Sequence, residues 1–215
     1  MRDYKLDLHT HSIISYDGGI TESEYARFLA DKKQFVAITD HDEISFALEL
    51  SAKLGEQVIV GEEINTLDGE IIGLYLKEKI TPGLSAVDTC DLIHAQGGVV
   101  YIPHPLETWR RGLQLETLQK IIAHIDILEA YNARLRQSDL LTLVKKFAQE
   151  NSLVIAASSD AHGEAGLRTS YTEIDDKPTK ENILAQLRAG SLVKKQASWG
   201  AYLDPLKNKI RKAIL

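Results

Sequence analysis

The chain has 215 residues, enough for one sizeable core and near the lower end for a (β/α) barrel. With 44% hydrophobic and 26% charged residues it belongs to the globular class, and a formal charge of -6 argues against broad, nonspecific binding to a nucleic-acid duplex. No apolar stretch is long enough to span a bilayer, the N-terminus enters a strand without the regions of a signal peptide, and the single Cys90 cannot form an internal disulfide. A cytoplasmic protein without membrane contact is expected.

Residues 5–8 read as the first strand, which delivers Asp7-Leu8-His9-Thr10-His11. His9 and His11 share a side because strand side chains alternate. Two histidines and an aspartate of one parity at a buried strand end point to metal ligation, with Asp7 expected to orient a histidine. The next loop ends in Asp17-Gly18-Gly19, where Asp17 reads locally as a turn residue. Thr21-Glu22-Ser23-Glu24 is a capping box for a helix to about residue 32. The second strand, 35–38, ends in Thr39-Asp40-His41-Asp42 with His41 as a candidate ligand; a helix over 44–54 follows. The third strand, 58–60, leads into Gly61-Glu62-Glu63-Ile64. Leu67-Asp68-Gly69-Glu70 reads as a hairpin turn into residues 71–76, and Glu70 is either an exposed turn carboxylate or an inward ligand.

Ser85 and Asp88 are spaced to cap a helix over 85–96, on which His94 reads as a surface residue. A strand over 99–102 delivers His104 between Pro103 and Pro105, whose rings restrict the backbone on both sides. Residues 107–112, with Trp109, Arg110 and Arg111, read as a solvated basic loop at the rim, and His124 as a cap at the end of the following helix. A strand over 125–128 ends in Glu129-Ala130-Tyr131-Asn132-Ala133-Arg134, where Glu129 is a candidate ligand and Arg134 has the planar fork that matches a phosphate. Leu140, Leu143, Val144, Phe147 and Ala148 mark a packing helix. The apolar run 153–157 then leads to Ser158-Ser159-Asp160-Ala161-His162, and Gly163 lets the chain turn away. Arg168, before a strand over 169–174 and a helix over 178–190, could contact an anion. The tail, 197–215, reads as a basic amphipathic helix docking on its own domain, 1–196.

Candidate ligands from the ends of several strands suggest a barrel with a metal cluster at its mouth. Histidine nitrogen mixed with carboxylate oxygen suits Zn, Mn or Fe better than Ca. His9, His11, Asp17, His41, Glu63, His104, Asp160 and His162, with Glu70 or Glu129 in reserve, are too many for one tetrahedral ion and can serve two or three. Glu63 can bridge two of them. Closely spaced ions would hold a hydroxide ready at neutral pH and neutralise the attacking and leaving oxygens of an in-line displacement, which fits hydrolysis of a phosphate ester.

The five motifs Asp7-Leu8-His9-Thr10-His11, Thr39-Asp40-His41-Asp42, Gly61-Glu62-Glu63-Ile64, Ile102-Pro103-His104-Pro105 and Ser158-Ser159-Asp160-Ala161-His162, in this order, resemble the motif series of the PHP (polymerase and histidinol phosphatase) metal-dependent phosphoesterases. The resemblance implies an α/β fold, a distorted (β/α)7 barrel with a trinuclear metal site at the C-terminal ends of the strands. Carried over by motif, His9, His11, Glu63 and Asp160 would hold one ion; Glu63 and His104 with Glu70 or Glu129 a second; Asp17, His41 and His162 a third. It thereby reverses the local reading of Asp17. Glu70 stands where nucleotide-hydrolysing relatives often have a histidine, and the span between His104 and Asp160 leaves no room for the insertion domain some of them carry. The implied substrate is a small phosphorylated molecule: a nucleotide, a sugar phosphate or the end of a short single-stranded nucleic acid. Arg134 and Arg168 would clamp its phosphate, and Asp160 or His162 would assist proton transfer. The alternatives are a non-catalytic, metal-stabilised binding module and an amidohydrolase-like C–N bond hydrolase.

Overall fold

The structure, a computed structural model, describes residues 2–135 and 138–214. Residue 215 of the expected tail lies outside the described residues. The strands are β1 (Tyr4–Asp7), β2 (Gln34–Ile38), β3 (Val58–Asn65), β4 (Glu70–Leu74), β5 (Val99–Ile102), β6 (Ile127–Asn132), β7 (Val154–Ser158), β8 (Tyr171–Ile174) and β9 (Ser191–Val193). The helices are α1 (Glu22–Phe28), α2 (Ser45–Leu54), α3 (Ala86–Ala95), α4 (Leu115–Lys120), α5 (Ser138–Glu150), α6 (Ile183–Ala189), α7 (Trp199–Tyr202) and α8 (Asp204–Ile214).

One nine-stranded sheet runs in the order β7-β6-β5-β4-β3-β2-β1-β8-β9. Most neighbours from β1 to β7 are parallel; β4 is reversed against both β3 and β5, because the Asp68-Gly69 turn joins β3 to β4 as a hairpin with no helix between them. That reversal distorts the barrel. The sheet curls until β7 meets β1. The Asp160 amide donates to the His9 carbonyl at 2.9 Å and the His11 amide to the Ala161 carbonyl at 2.8 Å, while Thr10 and Ala161 bridge in parallel. The closing seam is therefore made by the motifs themselves. β8 and β9 continue antiparallel beyond β1.

Leu6, Phe35, Ile59, Ile72, Tyr101, Ile127 and Ala156 form a buried cluster beneath the site. From it the Tyr101 hydroxyl donates to Glu129 at 2.9 Å. Outside the strands, α1 and α2 pack Tyr25, Phe28, Ala47 and Leu50 against Val36 and Ile38 of β2.

The structure corrects several boundaries: α1 ends at Phe28 and not near residue 32, and α6 begins at Ile183 and not at 178. β3 extends to Asn65 and β6 to Asn132, so Glu63 and Glu129 lie within strands. A strand that carries carboxylates is disfavoured locally and is formed here because other elements supply partners for them. The tail is two helices instead of one: Pro205 has no amide hydrogen to continue from α7, and it suits the first turn of α8. Among the described residues no helix is long and apolar enough to cross a membrane.

Candidate metal centre

Each motif places one or two side chains at the barrel mouth, and those with further polar residues use them to hold the backbone. In the second motif, Asp40 accepts from the Ser12 amide at 2.6 Å and Asp42 accepts from the Asn65 amide and carboxamide at 2.8 and 2.9 Å. This leaves His41 facing the cleft, bridged in parallel to Glu63. His104 has a φ of 29° and Asp160 a φ of 52°, both in the left-handed region that costs a non-glycine residue roughly 1–3 kcal/mol. His104 is held there by its amide donating to Glu129 Oε2 at 2.6 Å, and Asp160 by the β1–β7 seam.

Glu63 is the hub. Its Oε2 lies 3.2 Å from His9 Nε2, 3.2 Å from His11 Nε2 and 3.4 Å from His41 Nδ1, and its Oε1 lies 3.0 Å from His104 Nε2. Asp160 Oδ1 is 3.7 Å from His9 Nε2 and 3.6 Å from His11 Nε2. Asp17 Oδ2 is 3.4 Å from His162 Nε2 and 3.6 Å from His41 Nε2. Glu70 lies 3.8 Å from His41 Nδ1 and 3.7 Å from His104 Nε2. Four groups of ligand atoms come within 4.8 Å of one another: His11, Asp17, His41 and His162; His9, His104 and Asp160; His9, His11 and Glu63; His41, Glu63 and Glu70.

The donors fit divalent ions better than they fit one another. The Nε2 atoms of His9 and His11 face each other at 3.1 Å, where two ring nitrogens of one protonation state cannot both be satisfied. The buried Nδ1 atoms of His11, His41 and His104 have no hydrogen-bond partner among the described residues. Burial and then the charge of Glu63 push the Glu70 carboxyl up to about 8. Burial alone would lower His11, but hydrogen bonds to Asp160 and Glu63 raise it to about 9. Burial, followed by the positive charge of His11, pushes His162 down to about 4, so its ring is a neutral ligand donor. Against burial, Arg134 and then His9 hold Asp160 well below the carboxylate range.

Nine of the ten expected ligands meet in this cluster as candidate donors. Glu129 is adjacent but already engaged: Oε1 contacts His9 Nδ1 at 3.2 Å and accepts from Tyr101, while Oε2 accepts from the His104 amide and from Asn132 at 2.9 Å. With both oxygens occupied it orients His9 and His104, which leaves Glu70 to face the cleft. Asp7 does not orient a ring as expected; its Oδ1 accepts from the amides of Ser159, at 3.0 Å, and His9, at 3.4 Å, fixing the seam.

Arg134 lines the cleft, with Nη1 3.3 Å from Asp160. Arg168 is not brought there: its guanidinium lies 5.1 Å from the Phe28 ring, beside Arg27 and Glu164 on a different surface. The residue that sequence reasoning missed is Arg110. It donates to Asp160, to Glu107 and, at 2.9 Å, to Asn132. The Trp-Arg-Arg string between two motifs was its only signal. The cleft, about 240 Å³, is rimmed by Tyr16, Trp109, Arg111 and Lys209.

Residues 141–192 match the PHP-associated family model. The chain is 30% identical over 207 residues to an uncharacterized protein of Methanocaldococcus jannaschii, covering 90% of this chain and 84% of that one. Its fold is similar to that of a two-domain protein from Bacteroides vulgatus containing a predicted PHP-like metal-dependent phosphoesterase (TM-score 0.68, 17% identity, 89% of this chain), of which it spans 65% of the length. It is also similar to a lesion-specific endonuclease from Pyrococcus furiosus (TM-score 0.62, 15% identity, covering 88% of this chain and 57% of that one) and to an amidohydrolase from Chromobacterium violaceum solved with sulfate and no metal (0.58, 17%, 74% and 87%). At these identities the structural likenesses speak for the fold. Taken with the sequence relative and with motifs that both close the barrel and furnish its mouth, they lead to one statement: the chain belongs to the PHP family.

Proposed function

We propose that this chain is a metal-dependent phosphoesterase that hydrolyses a small phosphate ester: a nucleotide, a sugar phosphate or the end of a short single-stranded nucleic acid. The observation that carries the reading is the placement of two guanidinium groups, Arg110 and Arg134, against Asp160 in the cleft that also holds Glu63. His9, His11, Glu63 and Asp160 would hold one ion, Glu63, Glu70 and His104 a second, and Asp17, His41 and His162 a third, with Mn, Zn and Fe suited to this mixture. Divalent ions bound there would activate water at neutral pH and neutralise charge on the phosphoryl oxygens.

The chain's own groups do the rest. Arg134 presents a planar fork that would bind phosphoryl oxygens bidentately and hold the ester in line, while Arg110, whose Nε and Nη2 already grip Glu107, would add positive charge beside it and hold Asp160 in place. Asp160 stays ionised beside Arg110 and Arg134, so it would serve an ion as a charged ligand and leave proton transfer to a neighbouring histidine. His162 Nδ1 lies 2.9 Å from the Asp160 carbonyl; a proton there leaves Nε2 with its lone pair toward Asp17. The cleft of about 240 Å³ suits a phosphate and a small organic group, and Trp109, 88% exposed, offers a stacking face at its rim. Two arginines beside Asp160 favour a phosphate over a neutral amide, because guanidinium matches an anionic group. A non-catalytic module would have no reason to keep so full a donor set.

The test is phosphate release from a panel of phosphate monoesters and nucleotides, with Mn added, beside His9→Ala and Asp160→Ala. Release by the parent that both variants lose is expected. No release from any substrate by a protein shown to carry metal would turn the reading toward the binding module.

A further inference from the structure

The last helix of the chain is stitched to the loops that carry Asp17 and His162. The Lys212 ammonium donates to the carbonyls of Ile13 at 2.6 Å, Gly18 at 2.8 Å and Ser15. Those three acceptors match all three of its donors. One turn earlier, Asn208 Nδ2 donates to the carbonyls of Asp17 at 2.9 Å and His162 at 2.8 Å. A single carboxamide thus ties the loop after β1 to the loop after β7.

Two glycines make room for this contact. A Cβ on Gly19 would lie 2.8 Å from the Asn208 carboxamide, and one on Gly163 2.7 Å from the Asp204 carboxylate. Asp17-Gly18-Gly19 and His162-Gly163 therefore admit α8 as well as turning the chain. Lys207, Lys209 and Arg211 of the tail stay exposed, but two of its cations reach toward the loop of Asp17. Besides Lys212, Lys209 Nζ sits 4.6 Å from the Tyr16 ring centre and 3.9 Å from Asp17 Oδ2.

Resting on the metal-centre reading above, we propose that α8 is a built part of that centre. Asn208 and Lys212 are positioning residues that hold Asp17 and His162 around an ion shared with His41. They touch neither metal nor substrate. They set the spacing of the two loops, so their loss weakens this one ion while the ions nearer Glu63 keep their ligands.

The test is Mn binding to the full chain, followed by calorimetry and electron paramagnetic resonance, in the parent, Asn208→Ala, Lys212→Met, Asp17→Asn and Lys207→Ala, each checked for a cooperative melt. Lys207, bonded within the tail to Gly200 and Asp204, is the control and is expected to match the parent. Asn208→Ala and Lys212→Met are each expected to weaken one ion by about tenfold or more, the range seen on losing an outer partner of a ligand, and the same ion that Asp17→Asn removes. If Asp17→Asn loses an ion and both tail variants bind every ion as the parent does, or weaken all of them equally, the proposal is overturned and the metal centre stands. If the parent binds no Mn, both fall together. Should Lys212→Met not fold, Asn208→Ala decides.

Discussion

Glu63 meets the rings of His9, His11, His41 and His104, so its charge is what several imidazoles and any bridged ions share. Glu63→Gln keeps the shape and removes that charge. Mn affinity is expected to fall about 100-fold or more, beyond what losing an outer partner costs, with the fold retained in circular dichroism. Arg110 tests the other half of the site. Arg110→Lys keeps the charge but loses the fork on Glu107 and the bond to Asn132 that hold it against Asp160, and kcat/KM for a phosphate ester should drop roughly 10–100-fold, the scale of losing an outer partner of a ligand. An unchanged kcat/KM would place Arg110 outside the phosphate site. The candidate donors His9, His11, His41, Glu63, His104, Asp160 and His162 were readable because histidine and carboxylate after an apolar run carry their own chemical signal, whereas Asp17 reads locally as a turn residue and entered only through the family resemblance. Arg110 and Arg168 were not, since an arginine in a loop looks the same whether it faces Asp160 or Phe28; only the path of the loop separates them.

At the scale of elements, α1 is seven residues long and depends on its capping box, in which the Thr21 amide donates to Glu24 at 2.7 Å and Thr21 Oγ1 accepts from the Glu24 amide. Thr21→Ala should cost about 1 kcal/mol and lower Tm by roughly 2–4 °C in a domain of this size, read by a thermal melt. Caps, glycine stops and apolar periodicity of this kind made the strand and helix sequence readable from residue 4 to residue 190. What they could not give was the length of β3 and β6. Glu62 and Glu63 look like the end of a strand, yet Glu62 accepts from the Ile80 amide at 2.9 Å on one side while Glu63 enters the cluster on the other. Partners that far apart in sequence are invisible to a local pattern. The three-residue β9 carries too little pattern to stand out, and the break at Pro205 divided a tail whose amphipathic spacing reads as continuous.

At the scale of the molecule, the barrel closes through residues beside its candidate ligands, so ion binding and folding are coupled through one seam. Glu70 is raised from 4.5 to about 8 and His11 from 6.5 to about 9 in the ion-free protein. Both groups hold a proton in the fold that the unfolded chain releases sooner. The stability linked to Glu70 is therefore present below 4.5 and lost as pH rises through about 8, and that linked to His11 is present below 6.5 and lost as pH rises through about 9. An ion must displace both protons, so it binds more tightly as pH rises over the same interval. The two effects add: the rise in Tm produced by Mn should grow between about pH 6 and about pH 8.5, because ligand stabilisation scales with affinity. Calorimetry in buffers of different ionisation enthalpy should show protons released on binding at neutral pH. In Glu70→Gln the release should fall and the growth of the Tm shift should flatten. A Tm shift that is largest at the acid end, or binding without proton release, would remove Glu70 and His11 from the ligand set and leave the metal to the other seven candidate donors around Glu63.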